Sequence, residues 1–235
     1  MPFSSTVLAL AIAGLAPPAA AEVPTAPAAK VEANTVTHPG ESVMVRVPAS
    51  ATYVGSERFN LYGVADAEVH VFVEPDADRR MRRLWWVQFE SYLPSKPQHH
   101  YDYSDNRRSV LGGTTTWMRA GPTSTSHQMR AGSDRDHVVG ILKRAGIGVP
   151  AEVMNVRMVQ LLDDPAGTGK GARRELMVIY SEDLALTGKT LAELTTDGKP
   201  NEAWAPIEEA LVKRATDSLS IERRKAPPGG RGAGS

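Results

Sequence analysis

Positions 68–92 read EVHVFVEPDADRRMRRLWWVQFESY and carry the clearest strand pattern in the chain. Positions 68–74 alternate polar with β-branched or aromatic side chains, and 83–93 are dense in Trp, Val, Phe and Tyr, a composition that suits a pleated, half-buried surface. Pro75, Asp76, Ala77 and Asp78 between them form a turn signal, so the pattern predicts a β-hairpin. Opposing Phe72 to Trp86 would set Glu68 against Glu90, a like-charge pair that costs free energy. Opposing His70 to Trp86 sets Glu74 against Arg82, which gains a little, and this is the expected register. It gathers Val69, Val71, Val73, Trp85, Val87, Phe89 and Leu93 into one apolar core face. The other face is mixed: Glu68, His70, Phe72, Leu84, Trp86, Gln88, Glu90 and Tyr92 are too aromatic for plain exposure and too polar for burial without partners.

The rest of the pattern is read around this hairpin. Val43, Val45 and Val47 alternate ahead of Pro48 and predict a first strand over 41–47. Positions 52–64 predict one or two short strands with a bulge expected at Gly63. Positions 94–133 show little periodicity beyond a short strand at Val110 and Leu111, and are expected to form a loop lidding the mixed face. Ser133, Asp134 and Asp136 predict a helix start and Gly146 its stop, giving a helix over 134–145. Positions 155–162 and 175–181 are apolar on both sides and predict a strand pair in the middle of a sheet, joined by a mobile loop over 163–174. A short helix near 190–194 precedes a longer one over 201–219, where Trp204, Ile207, Leu211, Ala215 and Leu219 recur at helical spacing. The fold class expected is α+β: a single domain with an antiparallel sheet of about five to seven strands and two main helices packed on one face. A lipocalin-like barrel is the rival, and the helices and the long middle region count against it.

Composition then sets the limits. Positions 1–21 combine an apolar run, 7–16, with the small residues Ala19, Ala20 and Ala21, which predicts a secretory signal peptide and a periplasmic or secreted protein. That run is too short for a stable bilayer anchor, and no transmembrane span is expected in the mature chain. Positions 22–40 are expected as a flexible leader and 225–235, rich in Pro and Gly, as a disordered tail, leaving 41–224 as the domain. The 27 basic residues balance 27 acidic ones, which argues against nucleic acid as a partner. Arg79, Arg80, Arg82 and Arg83 cluster at the hairpin tip, where a solvated tip facing Asp76 and Asp78 explains them. The chain has no cysteine, so no disulfide staples it and no thiol can act as nucleophile.

Candidate chemistry is sparse. Gly169 and Lys170 imitate the end of a phosphate loop, but Asp164 stands where its first glycine belongs and Gly171 where its hydroxyl belongs. His99, His100 and Asp102 lack metal-ligand spacing, and neither a metal nor a cofactor is expected. No G-x-S-x-G occurs. On the mixed face, Glu68, His70 and Glu90 could perform general acid–base work, with Glu90 diagonal to Glu68 at about 7–8 Å in the expected register. Trp86, Gln88 and Tyr92, joined by Tyr101 and Tyr103 from the lid, could form a recognition surface. The leading expectation is an exported protein that binds a small molecule or an envelope protein through this face. A periplasmic hydrolase or lyase using the Glu/His site is the second, and a structural envelope component the third.

Overall fold

The computed structural model describes residues 26–126 and 129–223. The expected signal peptide and tail lie outside the described residues. The strands are β1 Lys30–Glu32, β2 Thr35–His38, β3 Val43–Arg46, β4 Thr52–Leu61, β5 Ala65–Pro75, β6 Met81–Tyr92, β7 Tyr101–Asp102, β8 Arg107–Leu111 and β9 Thr114–Ser124. After helix α1, Asp134–Arg144, come β10 Glu152–Leu161, β11 Lys170–Ala172 and β12 Arg174–Asp183. The short helix α2, Leu191–Leu194, then leads through β13 Thr195–Thr196 and β14 Lys199–Pro200 to helix α3, Ala205–Asp217, and β15 Ser220–Arg223. With 48% strand and 18% helix the chain is mostly β rather than α+β, which corrects the expected class.

Seven strands form one antiparallel sheet in the order β4-β5-β6-β12-β10-β9-β8, with β4 and β8 at its edges. β12 and β10, apolar on both sides, occupy the interior of this order, as their composition requires. A smaller sheet, β1-β2-β3-β15, covers one side of it.

The two main helices lie on opposite faces of the sheet, not on one. Leu211 and Ala215 of α3 share a core with Phe72, Trp85, Val87, Val156 and Val178 and with the small sheet's Val36, Val45 and Ile221. Val138, Ile141 and Leu142 of α1 share the other core with Val69, Val71, Val73, Trp86, Val159 and Met177. Each helix has an apolar stripe, and a sheet apolar on both sides offers each a separate surface.

The central hairpin forms, but its register differs by one residue. Pro75 pairs with Met81 as expected, whereas Glu74 pairs with Arg83, leaving Arg82 as the extra residue of a β-bulge. Beyond it His70 opposes Val87, and Val71 opposes Trp86. A slip of one residue sends every side chain of one strand to the other face. The expected mixed face is therefore split: Glu68, His70 and Phe72 join Trp85, Val87 and Phe89, while Leu84, Trp86, Gln88 and Glu90 join Val69, Val71 and Val73. The ion pair sought at the tip exists one residue on, between Arg83 Nη1 and Glu74 Oε2 at 2.8 Å.

Two stretches read as irregular are ordered. Residues 30–38, placed in the leader, form β1 and β2, because Val36 is fully buried in the core beside β3. Residues 107–124, placed in the lid, form the β8–β9 hairpin of the main sheet. Its turn is Gly112 and Gly113, both at positive φ, the two-residue arrangement that suits strand twist. A Cβ on Gly112 would stand 1.9 Å from the Ile221 carbonyl oxygen, so no larger residue fits there. Pro122 is tolerated because β8 pairs only with 114–118, leaving the end of β9 at an edge. In β4 the bulge falls at Val54, between Tyr53 and Gly55, not at Gly63, which sits in the following turn.

Candidate functional site

The α1 face of the main sheet is organised in cross-strand rows. One row runs Val71, Trp86, Ile179, Arg157, Arg119, from β5 across β6, β12 and β10 to β9. It grades from apolar to cationic, and its two arginines stand directly opposite each other. A second row runs Val73, Leu84, Ser181, Asn155, Gly121. A third contains Ala67, Glu90 and Glu175.

Glu90 and Glu175 thus form a cross-strand pair of carboxyl groups, a like-charge pairing that is unfavourable when both are ionised. Glu90 accepts hydrogen bonds from the Tyr101 hydroxyl at 2.8 Å and from the Gln88 amide at 2.7 Å, and Gln88 in turn accepts the Trp86 indole N–H at 2.8 Å. Glu175 is only 2% exposed, and its Oε2 has no hydrogen-bond partner. Burial, and after it the Glu90 charge, push Glu175 up to about 8, against opposing pulls from Tyr103 and Arg157. Burial also raises Glu90, whose hydrogen bonds from Tyr101 and Gln88 do not offset it. Asp134, at the start of α1, is raised by burial despite its hydrogen bond from the Arg135 backbone and the nearby Arg157 charge. Three acidic groups here share one tendency, to hold a proton longer than usual.

The aromatic residues converge on this end of the face. Tyr92 stacks on Tyr101 with ring centroids 4.5 Å apart, and Tyr101 on Tyr103 at 6.1 Å. The Arg157 guanidinium lies 5.2 Å from the centre of the Tyr103 ring. β7 is held in place by β11, and the Tyr103 N–H donates to the Gly169 carbonyl. Trp86, Gln88, Glu90, Tyr92, Tyr101 and Tyr103 are therefore brought together.

Glu68 and His70 are not part of that group. They lie on the opposite face, where His70 Nε2 is 2.8 Å from Glu68 Oε1 and the Ala28 and Ala29 backbone N–H groups donate to the same carboxylate at 2.5 and 2.7 Å. Burial would raise Glu68, but the hydrogen bonds from His70, Ala28 and Ala29 outweigh it and hold the carboxyl below its usual range. This pair fastens the N-terminal segment to β5. The expected trio of Glu68, His70 and Glu90 does not assemble, because the bulge at Arg82 puts Glu90 on the far side of the sheet.

Between α1 and the sheet opens a pocket of about 510 Å³. Leu84, Trp86, Ile179 and Val153 from the sheet and Val138 and Leu142 from α1 supply apolar wall. Arg119, Arg135, Arg157, Asp134, Asn155 and Ser181 supply polar groups. Neither the Arg119 nor the Arg135 side chain has a hydrogen bond or ion pair among the described residues. This size and lining fall within the range of small-molecule sites.

Glu175, Arg157, Arg119 and Asp134 were not singled out as site residues. Glu175 and Arg157 are charged positions within the inner strands β12 and β10, and a charged residue inside such a strand is the signal that marks them. Of the hairpin-tip arginines, Arg79 donates to the Gly146 and Ala145 carbonyls at the α1 C-terminus, where a cation suits the dipole, and Arg83 pairs with Glu74. In the loop that imitates a phosphate site, Asp164 fills the space itself, accepting the Gly169 N–H at 2.7 Å and the Thr168 hydroxyl at 3.2 Å. No family model, no curated protein and no solved structure matches this chain.

Proposed function

We propose that this chain binds a small molecule in the pocket between α1 and the main sheet, and that it does so as an exported protein, the latter resting on residues 1–21. The observation that carries the binding reading is the pocket itself: about 510 Å³, apolar along one wall, with Arg119 and Arg135, which have no hydrogen bond or ion pair among the described residues, on the other. A folded chain normally pairs such groups or exposes them on convex surface, so their convergence on a cavity favours a ligand. Concavity also favours a small molecule over an envelope protein. Val139 also lines the pocket, and the test is the pocket-filling variant Val139→Phe, compared with the natural chain by tryptophan emission across a panel of metabolites and amphiphiles. Ligand responses that vanish in a variant of unchanged melting temperature support the reading. Identical responses in both proteins would remove the pocket from consideration.

A hydrolase or lyase is the second reading, and the paired carboxyls favour it over purely structural roles. Its acid–base groups would be Glu90 and Glu175 rather than Glu68 and His70, since two neighbouring carboxyls that burial inclines to the protonated form can divide the donating and accepting roles. Turnover of any ester or glycoside panel that Glu175→Gln abolishes without loss of ligand binding would move this reading ahead.

A further inference from the structure

The row that crosses the pocket floor states what kind of molecule would lie along it. Trp86, Ile179, Arg157 and Arg119 occupy successive strands, β6, β12, β10 and β9. Neighbouring strands are about 4.8 Å apart, so the row runs roughly 14 Å from an indole to an exposed guanidinium. Its apolar end shares a core with Val138 and Leu142 of α1, and Arg135 adds a third guanidinium to the pocket lining.

Arg119 and Arg157 are cross-strand partners, a like-charge juxtaposition that costs free energy unless something neutralises it. Arg157 has partial compensation from Tyr103, Glu175 and Asp134. Arg119 has none among the described residues. The acidic groups near the row are also poor neutralisers, because burial keeps Glu175, Glu90 and Asp134 protonated to higher pH than usual. An anionic group placed between the two guanidiniums would resolve the repulsion and gain charge-assisted, planar hydrogen bonds.

We propose that the pocket takes an amphiphilic acid, its carboxylate seated at Arg119 and Arg157 and its apolar body lying along Ile179 and Trp86 beneath Leu142. The inference rests on the pocket being the ligand site. It is tested by calorimetric titration of the full chain and of Arg119→Gln with decanoate, decanol and decyltrimethylammonium, which share one tail and differ in head charge. The expected result is that decanoate binds at least about tenfold more tightly than decanol and that decyltrimethylammonium binds most weakly, a charge-assisted bond being worth that factor or more. Arg119→Gln should erase the preference, bringing decanoate to the affinity of decanol. Arg119 is exposed, so the variant should fold, and circular dichroism checks it. Arg157→Lys, which keeps the charge and loses the planar fork, should give an intermediate preference.

Equal binding of decanoate and decanol, unchanged in Arg119→Gln, would overturn the acid and leave the pocket standing. A decanoate preference that survives Arg119→Gln would overturn the assigned seat of the carboxylate. Failure of all three probes to bind would overturn both the inference and the binding reading beneath it.

Discussion

The two faces of the β5–β6 hairpin hold one buried carboxylate system each, and the two are set in opposite directions. On the α3 side, Glu68 accepts three hydrogen bonds, from His70 and from two backbone N–H groups, and is stabilised as the anion. On the α1 side, Glu175 lies deeper and faces Glu90, has an oxygen with no partner among the described residues, and is stabilised as the acid. Burial acts on both alike, as a penalty on charge. What differs is the supply of donors: the N-terminal segment brings donors to Glu68, and the sheet brings a second carboxyl to Glu175. The first arrangement fastens structure together, and the second leaves a buried carboxyl oxygen unpaired among the described residues.

The largest test of this contrast is Glu68→Ala. It leaves His70 unpaired in the core and the Ala28 and Ala29 N–H groups without their acceptor at the core's edge, and should lower unfolding free energy by roughly 3 kcal/mol, read from chemical denaturation. A loss below about 1 kcal/mol would mean that the N-terminal segment docks on apolar contacts alone.

Glu175→Gln should act with the opposite sign. The unfolded glutamate ionises near 4.5 and the folded one near 8, so between those values the native protein holds the extra proton and stability falls as pH rises. This contribution is complete below 4.5 and lost above 8. The neutral amide removes the penalty, so the variant should be more stable than the natural chain at pH 9, by on the order of 2 kcal/mol, and nearly equal to it at pH 4. Denaturation midpoints at the two pH values decide the matter, and a variant less stable at pH 9 would show that Glu175 is ionised and paired. Glu68 supplies the mirror image: its depressed carboxyl contributes stability above its ordinary range, lost as pH falls through the folded value.

The smallest effect is expected from Tyr101→Phe. It removes the hydroxyl donated to Glu90 while keeping the stack on Tyr92, and should cost about 1 kcal/mol. Because that hydrogen bond favours the ionised form, its loss should raise the Glu90 midpoint further, visible by NMR titration of the side-chain carboxyl. An unmoved midpoint would place the proton on Glu90 already in the natural chain.

Periodicity carried the reading of the regular elements. The apolar runs at 155–162 and 175–181 gave paired inner strands, Ser133 caps α1 with its hydroxyl accepting the Asp136 N–H, and the spacing from Trp204 to Ala215 gave α3. Regions whose strands are polar were missed. Thr114, Thr115 and Thr116 open β9, where threonine's β-branching suits a strand but its hydroxyl hides the alternation. Residues 30–38 have too little apolar area to order alone, and do so because β3 and the main sheet already offer a surface for Val36.

For the candidate site, the sequence by itself determined which side chains exist to make it: the aromatic and amide positions Trp86, Gln88, Tyr92, Tyr101 and Tyr103, and the carboxyl of Glu90. Local pattern is sufficient there because each residue's preference for a pleated surface acts over its near neighbours. That Glu68 and His70 lie on the other face from them was decided only in the tertiary structure, by a single extra residue at Arg82 that the alternation could not reveal. The same holds for Glu90 meeting Glu175 and for Arg157 meeting Arg119. Those pairs lie 85 and 38 positions apart in the chain and become neighbours only through the strand order β6-β12-β10-β9. Strand order is fixed by how the whole sheet buries both its faces, a sum over many distant contacts that no single stretch contains.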